Sequence, residues 1–235
     1  MLFRPKKLYK YLTAAGAQKL FSSPNPALWF RLPNRLNDIY DMQPVGSYLD
    51  DFGTIASFCL SEIPDSVPMW AHYGSNGQGV VLEFSLSSEF FDAMPPFKIR
   101  YRRKRPTVKD ARAALTTKSI QWAYEREWRC LTSLPKSTMD KNQFLSFEQA
   151  VSVPFPFDAL SAVIHGYDSL VSAEKFLARA EAQHVKELVC RTRAWRYGLN
   201  ICPIDDLSHI LENRDAALWG RQHSRAPGAG NASAM

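Results

Sequence analysis

The sequence lacks the features that define several common protein classes. No stretch approaches the ~20 consecutive apolar residues that a membrane-spanning helix needs. The only four cysteines, at positions 59, 130, 190 and 202, form no C-x-x-C pair, so no structural metal site is predicted. We therefore expect reduced thiols and no membrane contact. This favours a cytoplasmic protein, or one delivered to a target-cell cytoplasm without an N-terminal signal peptide.

Three frequent catalytic signatures are also missing. The chain has no G-x-x-x-x-G-K-[ST] phosphate loop, no H-E-x-x-H zinc helix and no G-x-S-x-G nucleophile elbow. Hydrophobic residues make up 46% of its 235 residues and charged residues 22%, which is typical of a globular domain and excludes wholesale disorder.

The positive charge of the chain is concentrated in one segment. The formal net charge is +6, but residues 98–112 alone carry +7, which leaves −1 for the rest. Such a run is typical of a solvated turn or strand end, and the alternative is a contact with an anion such as a phosphate. The basicity marks one local patch.

Hydrophobic periodicity predicts an α+β fold in a single domain over residues 1–223, with a disordered tail over 224–235. Helices are predicted from the N-cap Thr13 to Phe21, within PMWAHYG and SSEFFDAM, from Thr107 to Trp122, and from Ser172 to His184. Pro154 and Pro156 limit any strand near them to a sheet edge. Strands are predicted in KKLYKYL, ALWFR, GTIASFCLS, GVVLEFSL, FKIRYRR, EWRCLTS, LSAVIHG, VKELVCR and LNICPI.

Two acidic residues give the most informative motif. If the chain is extended from Glu125 onward, Glu125 and Glu127 project to one face, because strand side chains alternate. Two carboxylates on a shared face perturb each other's pKa and can divide acid–base work. The alternative is a surface strand whose acids pair with neighbouring arginines.

A second motif combines aromatic rings with a histidine. Trp70, His72 and Tyr73 lie within four residues and suit a planar ligand. The alternative is that Trp70 and Tyr73 pack into the core while His72 faces solvent.

The order of these motifs resembles a bacterial family of unknown function. The family pattern is roughly LYKY, LWFS, FNDP, SFS, WAHYA, GVCIEF and WxYExEWR, and similar segments follow each other here over about residues 7–205. That family in turn resembles the ADP-ribosyltransferase fold, which implies a split, mostly antiparallel sheet with short helices.

The resemblance also implies a substrate and a set of site residues. Glu127 would stabilise the positive charge on the ribose of NAD as nicotinamide leaves, and Glu125 would engage the acceptor. The basic segment 98–112 would contact the NAD pyrophosphate or a nucleic-acid acceptor. The residues expected to bind NAD are Tyr9, Lys10, Tyr11, Asn37, Ser57, Trp70, His72, Tyr73 and Tyr124.

The expected function is therefore mono-ADP-ribosyl transfer from NAD to an unknown protein or nucleic-acid acceptor. The setting would be a bacterial toxin, effector or anti-phage protein, with a possible immunity or antitoxin partner. One alternative is a catalytically inactive module of the same fold that binds a nucleotide or nucleic acid. A metal-dependent nuclease is a third possibility.

Overall fold

The fold is seen in a computed structural model that describes residues 5–42, 55–105, 107, 110–133, 150–193 and 196–204. The predicted tail over 224–235 lies outside the described residues. Short strands dominate the described part of the chain. They are β1 (Lys7–Leu12), β2 (Ala27–Arg31), β3 (Ile55–Ser61), β4 (Val80–Ser85), β5 (Phe97–Lys98), β6 (Arg100–Arg102), β7 (Thr117–Ser119), β8 (Glu127–Ser133), β9 (Ala150–Pro154), β10 (Leu160–His165), β11 (Lys186–Thr192) and β12 (Leu199–Pro203).

Ten of these strands form one mostly antiparallel sheet. Its main path runs β12-β11-β10-β4-β1-β3-β2-β9, while β8 pairs along β3 and β5 pairs with β8. The pair β10–β11 is parallel. The edge position of β9, which ends at Pro154, confirms the prediction made from its prolines. The mixed architecture with a mostly antiparallel sheet agrees with the predicted α+β class.

The sheet forks at β3. One edge of β3 pairs with β8 over seven register positions. The other edge pairs with β1 only at Tyr9–Ser61 and with β2 only at Arg31–Ser57, so β1 and β2 diverge from it. The Cys59 carbonyl lies between these two contacts and accepts the Lys10 ammonium at 3.0 Å. Lys10 thus supplies the hydrogen bond that a neighbouring strand would otherwise give.

The helices are short. They are α1 (Ala14–Ser22), α2 (Val67–Tyr73), α3 (Glu89–Ala93), α4 (Ala111–Leu115) and α5 (Glu174–Leu177). Thr13 caps α1 as predicted, accepting the Gly16 N–H on its hydroxyl at 3.1 Å. The first three helices thus lie where the sequence predicts them.

The predicted helix from Thr107 to Trp122 is wrong at both ends. Asp110 is the N-cap, and its carboxylate accepts the Ala113 N–H at 2.7 Å. The helix stops after Leu115 because the hydroxyls of Thr116 and Thr117 bond back to main-chain carbonyls at 2.8 Å. The chain then enters β7.

The predicted helix from Ser172 to His184 is interrupted. Arg179 is extended, with φ −67° and ψ 146°, and separates α5 from a 3₁₀ turn at Ala180–Ala182. Its guanidinium donates to the carbonyls of Ser23 at 2.6 Å and Pro24 at 3.2 Å. These two hydrogen bonds hold Arg179 against the loop after α1, where the periodicity predicts a further helical turn.

We predict that Asp110→Ala lowers the free energy of unfolding by about 1 kcal/mol, because it removes the N-cap acceptor of α4. Thr107 is exposed and precedes the cap, so Thr107→Ala should change it by less than about 0.5 kcal/mol. Urea denaturation of the two variants at neutral pH measures the difference. Equal losses would contradict the position of the cap.

The two faces of the sheet are packed differently. One face carries the main core, in which Phe84 of β4 packs with Phe91 of α3, and Phe21 of α1 packs with Phe176 of α5 at a ring separation of 4.7 Å. The opposite face carries a smaller core around the fully buried Trp70 of α2. No helix in the described part of the chain is long and apolar enough to cross a bilayer.

Candidate active site

A two-stranded parallel ribbon, β6 and β7, covers the start of β8 and presents polar side chains to it. Tyr101 and Lys118 are register partners, so they project from the same face of the ribbon. The Tyr101 hydroxyl accepts the Glu127 N–H at 2.8 Å. The Lys118 side chain is only 1% exposed. The inner face of the ribbon thus brings a buried cation to the predicted acidic pair.

The backbone between the two acids is not extended, so that part of the prediction is wrong. Glu125 ends a 3₁₀ helix over Ile120–Glu125, and Arg126 has left-handed angles of φ 45° and ψ 50°. Glu127 then begins β8. The two carboxylates nevertheless meet, because both bind the Lys118 ammonium.

Lys118, Glu125, Glu127 and Arg129 form a buried group that we call the charge network. The Lys118 ammonium donates to Glu125 Oε2 at 2.6 Å and to Glu127 Oε2 at 3.2 Å. Arg129 donates from Nε to Glu127 Oε1 at 2.7 Å and from Nη2 to Glu127 Oε2 at 3.2 Å. Two cations therefore face two carboxylates, which offsets the cost of burying each charge.

The two carboxylates differ in their electrostatics. Burial raises the pKa of Glu125, and Glu127 adds to this rise while Lys118 opposes it. Burial would also raise the pKa of Glu127, but Arg129 and Lys118 outweigh it and hold that pKa at about 2. For Lys118, the two carboxylates outweigh burial and raise the pKa. Glu127 is the fixed anion of the network, and Glu125 is the carboxylate that more readily takes up a proton.

Glu125 lies next to groups that reach the surface. The Tyr73 hydroxyl donates to Glu125 Oε1 and accepts from the Asn37 amide. That amide nitrogen also lies 3.4 Å from Glu125 Oε1, and the Asn37 oxygen lies 3.4 Å from the Lys118 ammonium. Asn37 is exposed and Tyr73 is half-buried. The hydrogen bonds of Glu125 thus connect the charge network to solvent.

Aromatic side chains surround this opening, and we call them the aromatic rim: His72, Tyr73, Trp122 and Tyr124. The Tyr124 ring lies 6.2 Å from both His72 and Trp122. The Lys118 ammonium lies 4.6 Å from the centre of the Trp122 ring. His72 is exposed and the other three are half-buried. Such a surface offers ring faces to a planar ligand.

Two other residues predicted to bind NAD, Tyr9 and Lys10, lie on β1. Tyr9 lies in one row with Ser61 and Glu127 across β1, β3 and β8, and burial together with Glu83 raises its pKa to about 12. Lys10 bonds to the Cys59 carbonyl and sits 4.9 Å from the centre of the Phe58 ring.

Three residues predicted to bind NAD are buried: Tyr11, Trp70 and Ser57. Tyr11 is buried and donates to the Ile63 carbonyl at 3.0 Å, and its ring meets Trp70 edge to face. Trp70 donates its indole N–H to the Pro64 carbonyl at 2.9 Å. Ser57 is 2% exposed, and its hydroxyl has no partner in the described part of the chain. None of these three presents a surface to a ligand in this conformation.

Sequence reasoning missed four residues of this site. Lys118 lies in the segment that was predicted to be a helix. Tyr101 lies in segment 98–112, which was interpreted only through its positive charge. Ser61 donates to the Glu125 carbonyl at 2.7 Å. Arg129 had a usable signal, since it follows Glu127 by two positions on a strand and therefore shares its face.

Comparison with known proteins covers the centre of the chain. A family model described as a protein of unknown function (DUF2971) matches residues 69–130. The match runs from α2 into β8 and includes every member of the charge network. Neither the curated proteins nor the solved structures gave a match. The predicted resemblance to an uncharacterised family is thus confirmed for residues 69–130.

Proposed function

We propose that the protein cleaves the bond between nicotinamide and ribose in NAD and transfers the ADP-ribosyl group. The observation that carries this proposal is the position of Glu125. It is a buried carboxylate with a raised pKa that bonds to Tyr73 and Asn37 at the edge of the aromatic rim. A carboxylate beside the ribose stabilises the oxocarbenium-like charge that develops as the glycosidic bond breaks.

The proposed reaction breaks one bond, forms one bond and transfers one proton. The bond between ribose C1′ and the nicotinamide nitrogen breaks, and its electron pair leaves with neutral nicotinamide. A new bond then forms between C1′ and the acceptor, either water or a nucleophile of a macromolecule. Glu125 takes the proton that the acceptor loses, and its raised pKa suits this role better than the low pKa of Glu127.

The remaining members of the charge network act on Glu125 as positioning residues. Lys118 bonds to both carboxylates and keeps Glu125 in place. Glu127 in turn binds Lys118, and Arg129 holds Glu127 in place on β8. In this proposal Glu127, which the family resemblance puts beside the ribose, supports the site electrostatically and Glu125 contacts the substrate.

The aromatic rim provides the binding surface for nicotinamide. Tyr73 and Tyr124 are half-buried, so their rings can be covered by a ligand at a small cost in side-chain order. Asn37 is exposed and its amide nitrogen lies 3.4 Å from Glu125 Oε1, so its displacement opens the carboxylate to the ribose hydroxyls.

The test is to incubate the purified protein with NAD labelled in its adenylate half, alone and with a bacterial lysate. We expect release of nicotinamide and transfer of label to a macromolecule. Protease and nuclease digestion then show whether the acceptor is protein or nucleic acid. Absence of both nicotinamide release and label transfer would overturn the proposal.

A second candidate is a module of this fold that binds a nucleotide without turnover. It is favoured by the hydrogen bonds and ion pairs within the chain that engage both oxygens of Glu125 and of Glu127. Binding of NAD with no release of nicotinamide distinguishes this candidate from the enzyme.

A further inference from the structure

We propose that the outer surface of the β6–β7 ribbon binds single-stranded nucleic acid. The site consists of Tyr40 and of five cations that we call the basic strip: Arg100, Arg102, Arg103, Lys104 and Arg105. All five are exposed. The surface is separate from the proposed catalysis, because its binding requires neither NAD nor the charge network.

The alternation of β6 separates the basic strip from the charge network. Tyr101 points inward, since its hydroxyl accepts the Glu127 N–H. Arg100 and Arg102, on either side of it in the strand, therefore point outward. Glu125 and the rest of the charge network lie on the other side of the ribbon. Arg100 and Arg102 therefore face a ligand bound along the outer surface.

The cations of the basic strip are available for such a ligand. None of the five forms an ion pair within the described residues. Lys98, which precedes the strip, differs because it pairs with Glu62 at 2.6 Å. The basic strip is therefore a run of five exposed cations with no ion pair to a described residue.

The chemistry of the strip fits a nucleic acid better than an acidic protein. Four of its five cations are arginines, whose planar guanidinium groups bind phosphate oxygens in pairs. Arg100 and Arg102 belong to β6, and the other three cations continue the run directly beyond the strand. Five cations within six residues can contact successive phosphates of one nucleic-acid strand.

An exposed aromatic ring favours unpaired bases over a duplex. Tyr40 is 46% exposed, and the Arg105 guanidinium lies 5.0 Å from the centre of its ring. Exposed tyrosine and arginine planes are the surfaces on which unstacked bases lie in proteins that bind single strands. The strip supplies the phosphate contacts, and Tyr40 supplies a stacking platform.

The experiment measures fluorescence anisotropy of labelled 12-nucleotide single strands, as DNA and as RNA, without NAD. Five phosphate contacts predict a slope of log K against log salt of about −3.5. The variant with Arg102→Ser, Arg103→Ser and Arg105→Ser should bind at least about tenfold more weakly, with a slope near −1.4. Tyr40→Ala should weaken binding at least about fivefold with little change in slope.

A matched control removes the same charge elsewhere. The exposed residues Lys6, Lys175 and Lys186 are all changed to Ser, and this variant should keep the wild-type affinity and slope. Thermal unfolding of each variant establishes that it is folded. The proposal is overturned if the control loses as much affinity as the strip variant, or if wild type does not bind either strand at low salt. It is also overturned if polyglutamate competes as well as an unlabelled single strand.

Discussion

Lys118→Met is expected to lower the free energy of unfolding by about 3–5 kcal/mol, one of the largest effects of a single substitution in this protein. The reason is that the variant leaves Glu125 and Glu127 buried beside each other with Arg129 as their remaining cation. Methionine fills a similar volume, so the loss reflects charge more than packing. Urea denaturation at pH 7 measures the effect.

The chain offers a matched control for this substitution. Lys7 forms an ion pair with Glu83 at 2.7 Å, similar in length to the 2.6 Å pair of Lys118 and Glu125. The Lys7 side chain is 51% exposed, whereas that of Lys118 is 1% exposed. Lys7→Met should therefore cost less than about 1 kcal/mol. Similar losses for the two variants would show that burial of the charge network is not what makes Lys118 important.

Glu127→Gln is expected to destabilise the protein in a pH-dependent way. Arg129 and Lys118, outweighing burial, hold the Glu127 pKa at about 2 against an ordinary value of 4.5. A depressed pKa contributes stability above the unfolded value, and that stability is lost as pH falls from about 4.5 towards 2. The shift corresponds to about 3 kcal/mol at neutral pH.

The measurement is the unfolding free energy of wild type and of Glu127→Gln between pH 7 and pH 2.5. The difference between the two should be about 3 kcal/mol at pH 7 and should shrink as the pH falls below 4.5. A difference that stays constant over this range would contradict the assignment of Glu127 as the fixed anion.

Much of the fold follows from local sequence patterns. Strands form where predicted in KKLYKYL, GVVLEFSL and EWRCLTS. The strand signal in each is a short apolar or alternating pattern that can be read from the segment itself. Thr13 likewise caps α1 through a hydroxyl three residues before the amide that it binds. These features depend on few distant contacts.

The failures have non-local causes. The helix predicted from Thr107 to Trp122 gives way to β7, which pairs with β6 about 17 residues earlier in the chain. Arg179 interrupts the last predicted helix because it bonds to carbonyls at Ser23 and Pro24. Periodicity within one segment carries no information about such partners.

The site was predicted in part: the two carboxylates do lie together, but the extended backbone from which this was predicted is wrong. Glu125 and Glu127 converge through a left-handed Arg126 and a shared lysine, and not through an extended strand. The sequence gives no reason to place Lys118 in the site, because a lysine is ordinarily exposed to solvent. Its role appears only when the ribbon is packed against β8.

The most direct test of the proposed role of Glu125 is the rate of nicotinamide release from NAD by wild type and by Glu125→Gln. The amide keeps the shape of the carboxylate, and Lys118 stays bonded to Glu127 in the variant. Urea denaturation of the variant establishes that it is folded under the conditions of the assay. We predict release by wild type and a rate at least about 100-fold lower in the variant. Equal rates in the two folded proteins, or no release by wild type with NAD and lysate present, would contradict the account.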